Sequence, residues 1–185
     1  MSAWGRLWGR LTAAPLLGQH QLPAGFVGTL DAAERVVAVG ELTGGGHLVL
    51  TQLGLWVPEG ALARRVGWHL VSKAVWDRGA LVITEAISTG TAGEAVLLSD
   101  LPPRRFALVQ PGKVPEVVRT RVTTSIRSSQ YCELPGGGAW FVQRRIPGRD
   151  GIVLQVRADS GTDPVAVHAM ASDVAARLPR LASPG

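Results

Sequence analysis

Along residues 33–110 apolar and polar positions alternate in short runs, each broken after a few residues by glycine or proline. A period of two sends successive side chains to opposite faces of a strand, and breaks at intervals of about 8 to 12 residues predict an antiparallel meander that folds back on itself. The predicted strands span 34–42, 46–52, 54–58, 63–70, 71–77, 80–87, 93–98 and 104–110. Turns fall at Gly44-Gly45-Gly46, Gly54, Pro58-Glu59-Gly60, Arg78-Gly79 and Pro102-Pro103, residue types that supply positive φ or preset a turn. The period then changes. Val114, Val118, Val122 and Ile126, with Val117 beside them, recur every four residues around Pro115 near the first turn, which predicts an amphipathic helix over 113–127. Its other side carries Glu116, Arg119, Thr123 and Arg127. Val118 and Val122 are expected to cover the end of the barrel, because the spacing leaves them no other burial.

A second β segment follows over 130–158, where Pro135-Gly136-Gly137-Gly138 and Pro147-Gly148-Arg149-Asp150-Gly151 separate three alternating runs. A closing helix starts at Asp163, an N-cap residue with Pro164 at the first helical position, and shows an apolar stripe of Val167, Ala171, Val174 and Leu178. At the other end, Trp4, Leu7, Trp8 and Leu11 share one helical face with Arg6 and Arg10 opposite, and Pro15 stops the helix. Residues 15–30, with Pro15, Gly18, Pro23, Gly25 and Gly28, read as a linker. The organisation expected is an amphipathic helix and linker over 1–30, a barrel with its capping helix over 31–128, and a β-meander with a helix over 129–181, packed with the barrel as one unit.

Strands followed by one amphipathic helix have the order of a pleckstrin-homology-like (PH-like) barrel, in which a helix plugs one open end of two orthogonal sheets. The run Val66-x-Trp68-x-x-Val71-x-x-Ala74-x-Trp76 followed by Gly79-x-Leu81-x-Ile83 resembles the central hairpin of bacterial members, and the chain is similar to actinobacterial proteins with this arrangement. The resemblance covers residues 33–127. It implies an α+β fold, a PH-like antiparallel β-barrel capped by a helix and extended here by a three-stranded meander and a C-terminal helix. Two departures bear on function. The first hairpin loop, Leu42-Thr43-Gly44-Gly45-Gly46, lacks the Lys and Arg with which phosphoinositide-binding members hold their ligand, and residues 113–127 lack the Trp of eukaryotic capping helices.

Composition narrows the chemistry. The single Cys132 precludes an internal disulfide and a cysteine-based zinc site, and as a lone strand cysteine it reads as a small hydrophobe. His20, His47, His69 and His168 fall on a linker, two strands and a helix, without a second ligand at metal spacing. Ser72 lies within a hairpin and outside any G-x-S-x-G, the glycine triplets at 44–46 and 136–138 precede no helix, and Asp77, Glu85, Glu94 and Asp100 are spread along strand ends. No catalytic set, cofactor site or metal site is expected. Trp56, Trp68, Trp76 and Trp140 are expected to fill the sheet core.

Charge leaves two readings open. The formal charge is +5 and Lys73 and Lys113 are the only lysines. The pairs Arg64-Arg65, Arg104-Arg105 and Arg144-Arg145 either converge on an anion-binding patch or protect sheet edges against association. The helix bearing Trp4, Arg6, Leu7, Trp8, Arg10 and Leu11 suits either contact with an anionic membrane surface or packing against protein. The function expected is therefore that of a cytoplasmic, non-enzymatic interaction or scaffold protein, peripheral at the inner membrane surface if the helix is an anchor. A nucleic-acid-binding module using its arginine-rich surface is the alternative, supported by a pI of 10.6; a small enzyme with an unrecognised site is third.

Overall fold

The computed structural model describes residues 21–178. The expected N-terminal helix, with Trp4, Arg6, Leu7, Trp8, Arg10 and Leu11, lies outside the described residues, as does the end of the chain from residue 179.

The fold is α+β, with a four-stranded antiparallel sheet, a larger and strongly curled sheet, and two helices among the described residues. The first sheet holds β1 (Val36–Glu41), β2 (His47–Thr51), β3 (Gly54–Glu59) and β4 (Leu62–Gly67) in sequence order. A 3₁₀ turn (Trp68–Leu70) leads into β5 (Val71–Asp77), β6 (Ala80–Ala92), β7 (Ala95–Asp100) and β8 (Arg104–Ala107). The first half of β6 pairs with β5 on one side and β8 on the other, and its second half pairs with β7. This strand runs on to Ala92, beyond the expected end at 87, because main-chain pairing continues through the polar residues Ser88 to Thr91 with a bulge between Ser88 and Gly90.

Backbone and charge contacts join the two sheets. Leu42 bridges Leu108, Thr43 N–H donates to the Ala107 carbonyl at 3.0 Å, and Arg104 Nη2 donates to the Pro58 carbonyl at 2.8 Å. Between the sheets lies a core of Ala38, Leu48, Leu50, Leu55, Val57, Val66, Trp68, Leu81, Ile83 and Phe106. Helix α1 (Val114–Ser125) covers its end. Val114 and Val118 are buried in it, whereas Val122 is only half-buried and Ile126 is 38% exposed. The apolar stripe thus leaves the core one turn earlier than its spacing predicts, since the chain turns from α1 directly into β9 at Ile126.

The C-terminal strands extend the large sheet. β9 (Ile126–Leu134), β10 (Gly137–Arg145) and β11 (Ile152–Ala158) form the expected meander, and β11 pairs in parallel with β7, giving the order β5-β6-β7-β11-β10-β9. Helix α2 (Pro164–Arg177) starts as expected, with the Asp163 carboxylate accepting from Val165 N–H at 3.0 Å. Its Val167, Ala171 and Ala175 pack on Ala92, Ala95, Ala139, Phe141, Leu154 and Val156. Alanines on both layers allow the helix to lie close to the sheet.

Two expectations change. Of the stretch read as a linker, residues 21–30 cover the outer face of the first sheet: Phe26 meets Trp56 edge-on with centroids 5.6 Å apart, Leu30 packs beside them, and Ala63 N–H donates to the Val27 carbonyl at 2.8 Å. Trp56 and Trp68 are buried as expected, but Trp76 and Trp140 are 37% and 39% exposed. Trp76 sits on the outermost strand of its sheet, and Trp140 alternates with Phe141 and so faces away from α2. No described helix is long and apolar enough to cross a membrane.

Candidate functional site

β5 is an edge strand, paired with β6 alone. The hairpin between them is a two-residue turn in which Arg78 and Gly79 both have positive φ, 45° and 75°, the signature of a type I′ turn. Such a turn makes the flanking pair Asp77–Ala80 doubly hydrogen-bonded, and alternation along the ladder makes Val75–Val82 the next such pair. Ala74 and Trp76 therefore direct their N–H and C=O groups away from β6. A bulge between Val71 and Lys73 turns the start of the strand.

Helix α1 faces this open edge across a groove of about 860 Å³. Ala74, Trp76, Leu81, Val118 and Val122 give it an apolar floor, and Lys73, Glu116 and Arg119 stand at its rim. Two of its hydroxyls are turned to main-chain carbonyls, Ser72 donating to Thr84 on β6 at 3.2 Å and Thr124 to Thr120 one turn back in α1 at 2.8 Å. The floor keeps its apolar character as a result. Lys73, Glu116 and Arg119 are exposed, two cations to one carboxylate. Val75 adds a 41% exposed apolar side chain on the same strand. The combination is an unpaired strand edge, an apolar trough beside it and a mildly basic rim.

The arginine pairs are spent on separate contacts. Arg64 donates from Nη1 and Nη2 to both oxygens of buried Glu85 at 2.7 and 2.8 Å, and from Nε to Glu59 at 2.8 Å; the Glu85 pairing, then Glu59, holds its guanidinium more firmly protonated than usual. This fork ties β4 to β6. Arg65, the next residue, turns the other way and binds Asp31 at 2.8 Å and Glu34 at 2.6 Å, which raise its pKa in that order. Arg104 lies over the Phe106 ring, and Arg105 donates to the Asp77 carboxylate at 3.0 Å. Arg144 is buried, with Nη1 donating to the Trp68 and Val71 carbonyls and to Ser125 Oγ; burial, and then Arg157, lowers its pKa. Arg145 is exposed at the end of β10.

Of the remaining chemistry-bearing residues, His69 sits in the 3₁₀ turn instead of the expected strand, and Cys132 is half-buried against the C-terminal core. Tyr131 donates from its hydroxyl to Asp159 at 2.6 Å, which raises its pKa, and its ring lies 5.3 Å from that of Trp140. Among the described residues no three His, Cys, Asp or Glu side chains are grouped to hold a metal ion. The groove itself was not legible in the sequence. Its one signal was Trp76 on a strand predicted to end at Asp77, beside a helix whose stripe outruns its core.

No protein-family model, no curated protein and no solved structure matches the chain.

Proposed function

We propose that this chain is a non-enzymatic interaction module on a PH-like barrel, and that it captures an extended segment of a partner protein by strand addition along β5. The supporting observation is the pairing of outward N–H and C=O groups at Ala74 and Trp76 with an apolar trough under α1. Main-chain hydrogen bonds supply affinity in such complexes, and pockets for alternate side chains supply selectivity. Lys73 and Arg119 favour a segment carrying Asp or Glu beside its apolar residues. An arginine-based nucleic-acid surface needs free cations, and five of the six paired arginines are held by carboxylates, carbonyls or a hydroxyl.

The test is selection from a displayed library of random peptides. Enriched sequences are expected to alternate apolar and acidic residues, and their binding should fall at least tenfold in Trp76→Asp while staying unchanged in Trp140→Ser. Equal loss in both variants, or equal retention in both, would place the binding elsewhere.

A further inference from the structure

Away from the groove, the end of β4, the 3₁₀ turn and the hairpin loop between β10 and β11 enclose a cleft of about 430 Å³. Three basic side chains line it: Arg65, His69 and Arg149, with Asp31 beside Arg65. Each is placed by a local constraint. Gly67 has an ordinary extended conformation, φ −62° and ψ 142°, yet a β-carbon there would lie 2.6 Å from His69 Cε1 and 2.9 Å from Nδ1. The glycine therefore makes room for the imidazole. Gln155 Nε2 donates to the His69 carbonyl at 3.0 Å and ties the 3₁₀ turn to β11. The loop is closed by Arg149 N–H donating to the Ile146 carbonyl at 3.1 Å, and a β-carbon at Gly148 would come within 3.1 Å of Leu53 Cδ2.

The charges in the cleft are unevenly matched. Arg65 engages Asp31 and Glu34 through Nη1 and lies over the Trp56 ring at 5.6 Å, and its Nε and Nη2 have no hydrogen-bond acceptor among the described residues. Arg149 is exposed and has no carboxylate partner among the described residues. His69 Nδ1 is buried without a hydrogen-bond partner. Burial, then Arg144 and Arg149, lowers the His69 pKa, so the ring is neutral at pH 7. On its other side His69 shares a small cavity with Arg144 and Arg157, the latter paired to Asp100 at 3.6 Å. An anion in the cleft would offset Arg149 and satisfy donors that the protein leaves free. Arginine forks suit the tetrahedral oxygens of phosphate.

We propose that this cleft binds a phosphate monoester, held by Arg149 and the outward N–H groups of Arg65, with His69 as a further donor. Soluble phosphomonoesters and the headgroup of a phosphatidate lipid present the same group. Binding of a dianion offsets the cations on either side of the imidazole, which are Arg65 from β4, Arg144 from β10, Arg149 from the loop and Arg157 from β11, against the carboxylates of Asp31 and Glu34, which Arg65 Nη1 already holds. The ring then takes up a proton more readily, so binding raises the His69 pKa.

The experiment follows the His69 Cε1–H resonance by NMR while inorganic phosphate, then phenyl phosphate, is added at constant ionic strength. A saturable shift and a raised His69 pKa are expected. Arg149→Ala lies on an exposed loop and should weaken binding at least tenfold, whereas Arg177→Ala on α2 should leave it unchanged. A shift that never saturates, or equal affinity in the two variants, overturns the proposal. Sedimentation with vesicles of phosphatidylcholine alone or with phosphatidic acid assigns the source. Cosedimentation on phosphatidic acid displaced by phenyl phosphate supports the lipid headgroup, and saturable phosphate binding without cosedimentation supports the soluble ligand.

Discussion

Glu34 shows how one side chain can organise several elements. Its carboxylate is fully buried and accepts from Thr51 Oγ1 at 2.5 Å, Trp56 Nε1 at 2.9 Å, Arg65 Nη1 at 2.6 Å and Asp31 N–H at 3.1 Å. Removing it would strand the Trp56 indole N–H and leave the buried side of the Arg65 guanidinium unpaired, while Thr51 Oγ1 keeps the Gly54 carbonyl. Glu34→Ala should cost about 3–5 kcal/mol by chemical denaturation, while Glu59→Ala, which removes an exposed partner of Arg64, should cost under about 1 kcal/mol. Arg144 makes the complementary case of a buried cation solvated by two carbonyls and a hydroxyl. His69 gives stability a pH dependence. Its folded pKa lies below the ordinary value near 6.5, so the unfolded chain binds the extra proton first and stability falls as pH drops through that value. Melting temperatures between about pH 7.5 and 5.5 should decline less steeply in His69→Gln than in the parent protein.

At the scale of elements, α1 and β5 carry the argument. Val118 is buried in the core between the two sheets and Val122 lines the groove, so Val118→Asp should cost about 4 kcal/mol or more and Val122→Asp about 1 kcal/mol. Thermal unfolding of the two variants separates a helix that caps with its first turns from one buried along its length. Element type was legible because the periods of two and four are local properties of the chain. The boundaries of β6 and the partner of β11 were not, since a ladder through Ser88 to Thr91 and a parallel pairing with β7 are decided by strands distant in sequence. The same holds for Trp76: its position in a strand was legible, but its exposure depends on which strand lies at the edge. The arginine dipeptides announced charge without announcing Glu85 or Glu34, which meet them from 21 and 31 residues away.

In the whole molecule, two cores meet along one continuous sheet, the first between the two sheets under α1 and the second beneath α2. Arg144 reaches from β10 to the 3₁₀ turn, β5 and α1, so the C-terminal strands brace the elements that frame the groove. This arrangement pairs one edge of β5 with β6 and leaves the other edge without a strand partner among the described residues. The most direct measurement is amide hydrogen exchange at single-residue resolution, with and without a peptide enriched on the protein. Strand addition predicts that the amides of Ala74 and Trp76 slow by at least tenfold on binding, while those of Val75 and Asp77, already bonded to β6, change little. Slowing confined to other strands, or none at Ala74 and Trp76 with the peptide saturating, would contradict capture along β5.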